Sequence, residues 1–147
     1  MMLYFEDIRV GDSVVSGSYE FSEDEMIAFA KKWDPLPFHI DPVAAAHTPM
    51  KGLIASSCQT FSVYALLLNS RMDEPIAGIA SMKHEIDLPA PVRPGDILSL
   101  KVTYLEKRPS ESKPDRGLVT IEGVLNNQTG SIVLRAKSLT LVRRRPM

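Results

Sequence analysis

Between Ile54 and about Ser70 the chain carries no Asp, Glu, Lys or Arg, and over Val63 to Leu68 every residue is apolar. A helix over this stretch is hydrophobic around most of its circumference in its second half, and such a helix belongs in the middle of a core. The apolar run is far shorter than the roughly 20 residues that a bilayer requires. The rest of the chain therefore has to supply a surface that wraps this helix.

The second half of the sequence supplies one. Apolar residues alternate along Ile76-Gly78-Ala80-Met82-His84-Ile86-Leu88, Leu98-Leu100-Val102-Tyr104, Val119-Ile121-Gly123-Leu125 and Ile132-Leu134-Ala136. This period of two predicts antiparallel strands with one buried face each. Pro94-Gly95-Asp96 and the run from Asn126 to Gly130 supply turn chemistry, and residues 109–116 form a polar loop. One buried helix against a strongly curved antiparallel sheet is the simplest packing of these pieces, an α+β hot-dog arrangement, although periodicity alone also permits other α+β packings.

Ahead of the apolar helix, Ser22 and Glu25 form a capping box, and Met26, Ile27, Phe29, Ala30 and Trp33 follow at helical spacing, predicting an amphipathic helix over about 23 to 33. Asp34-Pro35 ends it, because a residue before proline avoids helical geometry. Asp41 then caps a short helix over Val43 to His47, with Pro42 at its first position. No repeat, low-complexity run or linker divides the 147 residues, so residues 1–147 are expected to form one domain.

Composition narrows the function. Seventeen basic against eighteen acidic side chains leave a formal charge of −1, which gives no global attraction to nucleic acid. The first residues lack a basic segment followed by a long apolar one, so a cytoplasmic location is expected and no membrane partner. Cys58 is the only cysteine, which excludes an intrachain disulfide and a cysteine-based zinc cluster. His39, His47 and His84 lack helical pair spacing for a metal, so neither metal nor cofactor is expected. A small molecule or a second copy of the chain is the expected partner.

Chemistry concentrates in Trp33-Asp34-Pro35-Leu36-Pro37-Phe38-His39-Ile40-Asp41. Two prolines stiffen the connection, holding a carboxylate and an imidazole five residues apart. Such a pair can hold a water, take its proton and return one. Equally, Asp34 can cap a turn and His39 can be a hydrogen-bonded loop histidine; spacing alone leaves both open.

The same residues, followed by Ala44-Ala45 and Gly52-Leu53-Ile54-Ala55-Ser56 and preceded by the turn Val10-Gly11-Asp12, resemble the signature of MaoC-like dehydratases and (R)-specific enoyl-CoA hydratases. In that family the motif reads Asp-x-Asn-Pro-Leu-His-x-Asp, with Ile-Ala-His-Gly opening the central helix. Leu36 replaces the motif Asn, and Ser56-Ser57 replace His-Gly. The resemblance implies a hot-dog fold and an acyl thioester of coenzyme A or of an acyl carrier. It implies Asp34 and His39 as the catalytic pair around one water, the Ser57 backbone N–H as the oxyanion donor, and Gly52, Ser56 and Ser62 beside the substrate. It also implies a homodimer or an assembly of dimers, with the ligand tunnel between subunits.

Other residues have simpler readings. Asp41 is a helix cap, Ser62 can bond back to its own helix, and Cys58 behaves as a small hydrophobe. His84 is expected as a satisfied core histidine, and Arg143-Arg144-Arg145 as a solvated tail, with coenzyme A phosphates as the alternative. Two rival functions stand beside the hydro-lyase: a thioesterase, against which the missing carboxylate on the central helix counts, and a non-catalytic acyl-binding module.

Overall fold

The computed structural model describes all of residues 1–147. A 3-10 turn at Phe5–Asp7 leads into β1 (Ser13–Glu20), then α1 (Glu23–Trp33), α2 (Pro37–Ile40), α3 (Pro42–Ala46) and α4 (Ser57–Ser70). Four strands complete the chain: β2 (Gly78–Asp87), β3 (Ile97–Pro109), β4 (Arg116–Asn126) and β5 (Ile132–Arg143). They form one antiparallel sheet in the order β1-β3-β4-β5-β2. Helix α4 packs on this sheet, as the hot-dog arrangement requires, and no helix is long and apolar enough to cross a membrane.

The core follows the alternation of β3, β4 and β5. Leu98, Leu100, Val102 and Tyr104 on β3, Val119, Ile121 and Leu125 on β4, and Leu134, Ala136 and Val142 on β5 are buried together with Val63, Tyr64 and Leu67 of α4. Gly123 interrupts the apolar row for a steric reason. A Cβ there would lie 2.3 Å from the Tyr64 hydroxyl, so the bare backbone makes room for the ring.

Four sequence expectations are corrected. Strand β1 was not foreseen: Ser-Val-Val-Ser-Gly-Ser-Tyr-Glu lacks clean alternation, because the strand is an edge whose register to β3 shifts between Val15 and Ser18. Strand β2 buries no face, and Ile79, Met82 and Ile86 are exposed, because it is the other edge and has only β5 as a neighbour. His84 on that strand is therefore not in the core. The terminal arginines are docked: Arg144 Nε lies 3.1 Å from a Glu6 oxygen, and the Arg145 guanidinium pairs with Asp7. The Arg145 guanidinium also stands 5.0 Å over the Tyr4 ring.

The helices otherwise run as the caps dictate. The Ser22 hydroxyl accepts from the Glu25 N–H at 3.2 Å, while the Glu25 carboxylate takes the Tyr19 hydroxyl instead of closing the capping box. Trp33, the last residue of α1, is exposed with the Lys32 ammonium over its ring. The Asp41 carboxylate accepts from the N–H groups of Val43 and Ala44, as its capping role predicts.

Candidate active site

Three short segments converge to build the site. Asp34 ends α1, its N–H donating to the Ala30 carbonyl at 2.8 Å. Leu36 then caps α2 with Pro37 at the first helical position, where a missing N–H costs nothing. This single turn was not foreseen from the sequence, and it turns His39 back toward Asp34. The extended residues before α4 lock the arrangement from the other side: the Ile54 N–H donates to the Phe38 carbonyl at 3.2 Å and the Ala55 N–H to the Val92 carbonyl at 2.9 Å.

His39 is buried, with its Nδ1 2.8 Å from the Ile54 carbonyl oxygen. A carbonyl only accepts, so Nδ1 carries the proton and Nε2 is the ring nitrogen turned toward Asp34. Nε2 stands 3.4 Å from Asp34 Oδ2, longer than a direct N–H···O bond. In the neutral imidazole both facing atoms are acceptors, so the gap suits a water that donates one O–H to each. The oxygen lone pairs of such a water point away from the pair.

Asp34 is held from behind. The Ser56 hydroxyl donates to Asp34 Oδ2 at 2.7 Å and accepts from the Cys58 N–H at 3.2 Å, so one fully buried side chain caps α4 and orients the carboxylate. This replaces the substrate contact expected of Ser56. Helix α4 accordingly starts at Ser57 and not at Ile54. Ser57 is exposed, and its N–H is the first of the free donors at the helix N-terminus, where the macrodipole favours negative charge.

His39, Ser57, Thr60, Ala55, Leu88 and Val133 are among the residues that line a cleft of about 260 Å³. Gly52 is not in its wall; it lies on the rim beside Met50 and Arg93, and a Cβ there would come within 3.3 Å of Arg93 Nη1. Ser62 is also outside the cleft, exposed, with its hydroxyl donating to the Cys58 carbonyl at 2.8 Å. Cys58 and His47 are exposed and take no part in the cleft. The sequence reading missed Thr60 and the Leu88–Val92 segment, because their place beside His39 depends on how the loop after β2 folds over α4.

A buried imidazole and a free helix N-terminus lining one cleft, with an oriented carboxylate 3.4 Å from that imidazole, define on a hot-dog scaffold a class of site suited to acid/base chemistry next to an anion-stabilising donor. The family model of the MaoC like domain matches residues 8–124, and the chain belongs to that family. It is similar to the 3-hydroxybutyryl-CoA dehydratase of Methylorubrum extorquens, 32% identical over 113 residues that cover 76% of this chain and 70% of the relative. Among solved structures it resembles the MaoC-like dehydratase from Rhodospirillum rubrum, at 39% identity and a TM-score of 0.94 over 99% of both chains. The unliganded R-hydratase from Pseudomonas aeruginosa shares the fold, with a TM-score of 0.78 at 22% identity over 97% of this chain and 86% of that one.

Proposed function

We propose that this chain, residues 1–147 acting as one hot-dog domain, is a hydro-lyase. It adds water across the 2,3-double bond of a trans-2-enoyl thioester, or removes it from a 3-hydroxyacyl thioester. The observation that carries this reading is the 3.4 Å gap between Asp34 Oδ2 and the Nε2 of His39, the residue that with Ser57 lines the cleft. The dehydratase from Methylorubrum extorquens supports a coenzyme A thioester as the carrier.

In hydration the water held by Asp34 and His39 forms its C–O bond to C3 as one O–H bond breaks toward the pair. The electron pair of the double bond moves through C2 onto the thioester oxygen, where the Ser57 N–H stabilises the enolate. The proton held by the pair then goes to C2, so OH has been added at C3 and H at C2. Dehydration runs the same steps backward. Ser56 acts as a positioning residue through Asp34, in place of the orienting contact that Leu36 cannot supply.

The working unit we infer is a homodimer formed by β2, whose free edge and exposed Ile79, Met82 and Ile86 offer a second copy both hydrogen bonds and apolar area. A cytoplasmic setting fits a coenzyme A substrate. The test is hydration of crotonyl-CoA, followed by loss of the enoyl absorbance beside an assay for free thiol. Absorbance loss without thiol supports the hydro-lyase; thiol release points to a thioesterase, and neither signal with retained binding points to an acyl-binding module.

A further inference from the structure

A second chamber, of about 330 Å³, lies further along the same helix. The catalytic cleft is bounded on α4 by Ser57 and Thr60 and across from them by Leu88, just past β2; the second chamber is bounded by Phe61 and Leu68 of α4 and by β2 itself. Ser57 and Thr60 of the first cleft and Phe61, Tyr64 and Leu68 of the second chamber recur at three- to four-residue spacing, so both spaces lie along one face of α4. The Phe61 and His84 rings meet edge-on with centroids 5.1 Å apart. The two chambers thus follow one another along this face of α4, and the Phe61–His84 contact stands at the near end of the second.

His84 is fixed there. Its Nδ1 is 2.6 Å from Ser138 Oγ, its partner across the β2–β5 ladder, and its ring rests on Phe61, which stacks on Tyr64 at 5.4 Å. Nε2 has no partner within the chain, and His84, Asn69, Ser81 and Thr140 all line the chamber among apolar neighbours. No Lys, Arg, Asp or Glu does. An alkyl tail in this space strips water from those hydrogen-bonding groups without replacing it, a cost that an oxygen function avoids. A carboxylate enters without a fixed cation to meet it, which is costlier still.

We propose that the second chamber selects the far end of the acyl group, and that the preferred substrate carries an uncharged oxygen function there, a hydroxyl or a carbonyl, bound through His84. This rests on the hydro-lyase reading of the first cleft. From Ser57 to Tyr64 is seven residues, about 10 Å along the helix axis. An extended chain advances ~1.2 Å per bond, taking three bonds to a ~3.5 Å residue, so roughly eight bonds reach the chamber. Only a medium chain reaches the second chamber; a four-carbon acyl group ends in the first cleft and is held there alone.

Titration calorimetry of the full chain with octanoyl-CoA, 8-hydroxyoctanoyl-CoA and the half-thioester of the eight-carbon dicarboxylic acid tests this without turnover. The hydroxylated ligand binds at least about tenfold tighter than octanoyl-CoA, which in turn binds no weaker than the dicarboxylic one. His84→Leu abolishes the preference and His84→Gln, which keeps a donor and an acceptor, retains part of it, with thermal unfolding confirming that both variants are folded. Equal affinities for the hydroxylated and plain chains in the native protein overturn the proposal, as does a preference that survives His84→Leu. Tightest binding of the dicarboxylic ligand overturns the uncharged assignment. Crotonyl-CoA hydration by the native protein is scored separately, so failure of the hydro-lyase reading is distinguishable from failure of this one.

Discussion

At the scale of single residues, Asp34 and His39 stand on backbone shaped by Pro35, Pro37 and the Ile54 N–H bond to the Phe38 carbonyl. Asp34→Asn and His39→Ala are expected to lower kcat for crotonyl-CoA hydration by about 10²- to 10⁴-fold, the first with little change in the unfolding midpoint and the second with a lower midpoint, since it removes a buried ring bonded to the Ile54 carbonyl. Because one water serves both, the double variant falls only slightly below the poorer single one. Ser57 allows a cleaner experiment. It is the first residue of α4, the position that tolerates proline, and the preceding Ser56 has φ −58° and ψ 137°, geometry that a following proline prefers. Ser57→Pro thus deletes the N–H while sparing the helix. Activity is expected to drop by about 10²-fold or more for Ser57→Pro, and to persist in Ser57→Ala; a dead, folded alanine variant gives the role to the hydroxyl. The pair Asp34 and His39 was legible in the sequence because it is local, five residues apart and braced by prolines. The Ser56 contact to Asp34 was not, since it joins residues 22 apart that only the packing of α4 brings together.

At the scale of elements, caps and periodicity sufficed wherever an element is bounded by its own chemistry: α1 and α3 start at Ser22 and Asp41, and β3 to β5 alternate against the core. They failed where the neighbour decides. β1 and β2 are edges, so the burial that writes an alternating pattern is absent from one and misleading in the other. The contact of Tyr64 with Gly123 joins α4 to β4 most tightly. Burial pushes the Tyr64 hydroxyl up to about 12, against a smaller opposing pull from the Ser138 side chain. Gly123→Ala drives a methyl into this ring and is expected to cost about 1–3 kcal/mol in urea denaturation. In a Tyr64→Leu background the same substitution is expected to cost measurably less, which a double-mutant cycle reads directly.

At the scale of the whole molecule, the two ends of the chain are tied by charge. Glu6 is held below the usual carboxylate range mainly by the Arg145 N–H, and Asp7 by the Tyr4 N–H and then by the Arg145 guanidinium. Carboxyls lowered in the folded state bind protons more readily once unfolded. Their stabilisation is therefore complete above about pH 4.5 and is lost as pH falls through the folded values. Urea midpoints measured at pH 5.5 and 3.5 are expected to diverge less in a Glu6→Gln/Asp7→Asn variant than in the native protein. Assembly has its own test: light scattering is expected to find a dimer, which Met82→Lys on β2 dissociates while Val15→Lys on the opposite edge does not.

Strand β2 has one neighbour on its ladder and a groove against its face, so it belongs at once to the proposed interface and to the wall of the second chamber. Two equilibria are then coupled through one element. If a ligand settled against β2 strengthens the proposed dimer, then by reciprocity that dimer holds the ligand more tightly than a lone subunit does, by the same factor. Dilution and substrate become opposing variables: specific activity rises with protein concentration, and the concentration at which it levels off falls as substrate is added.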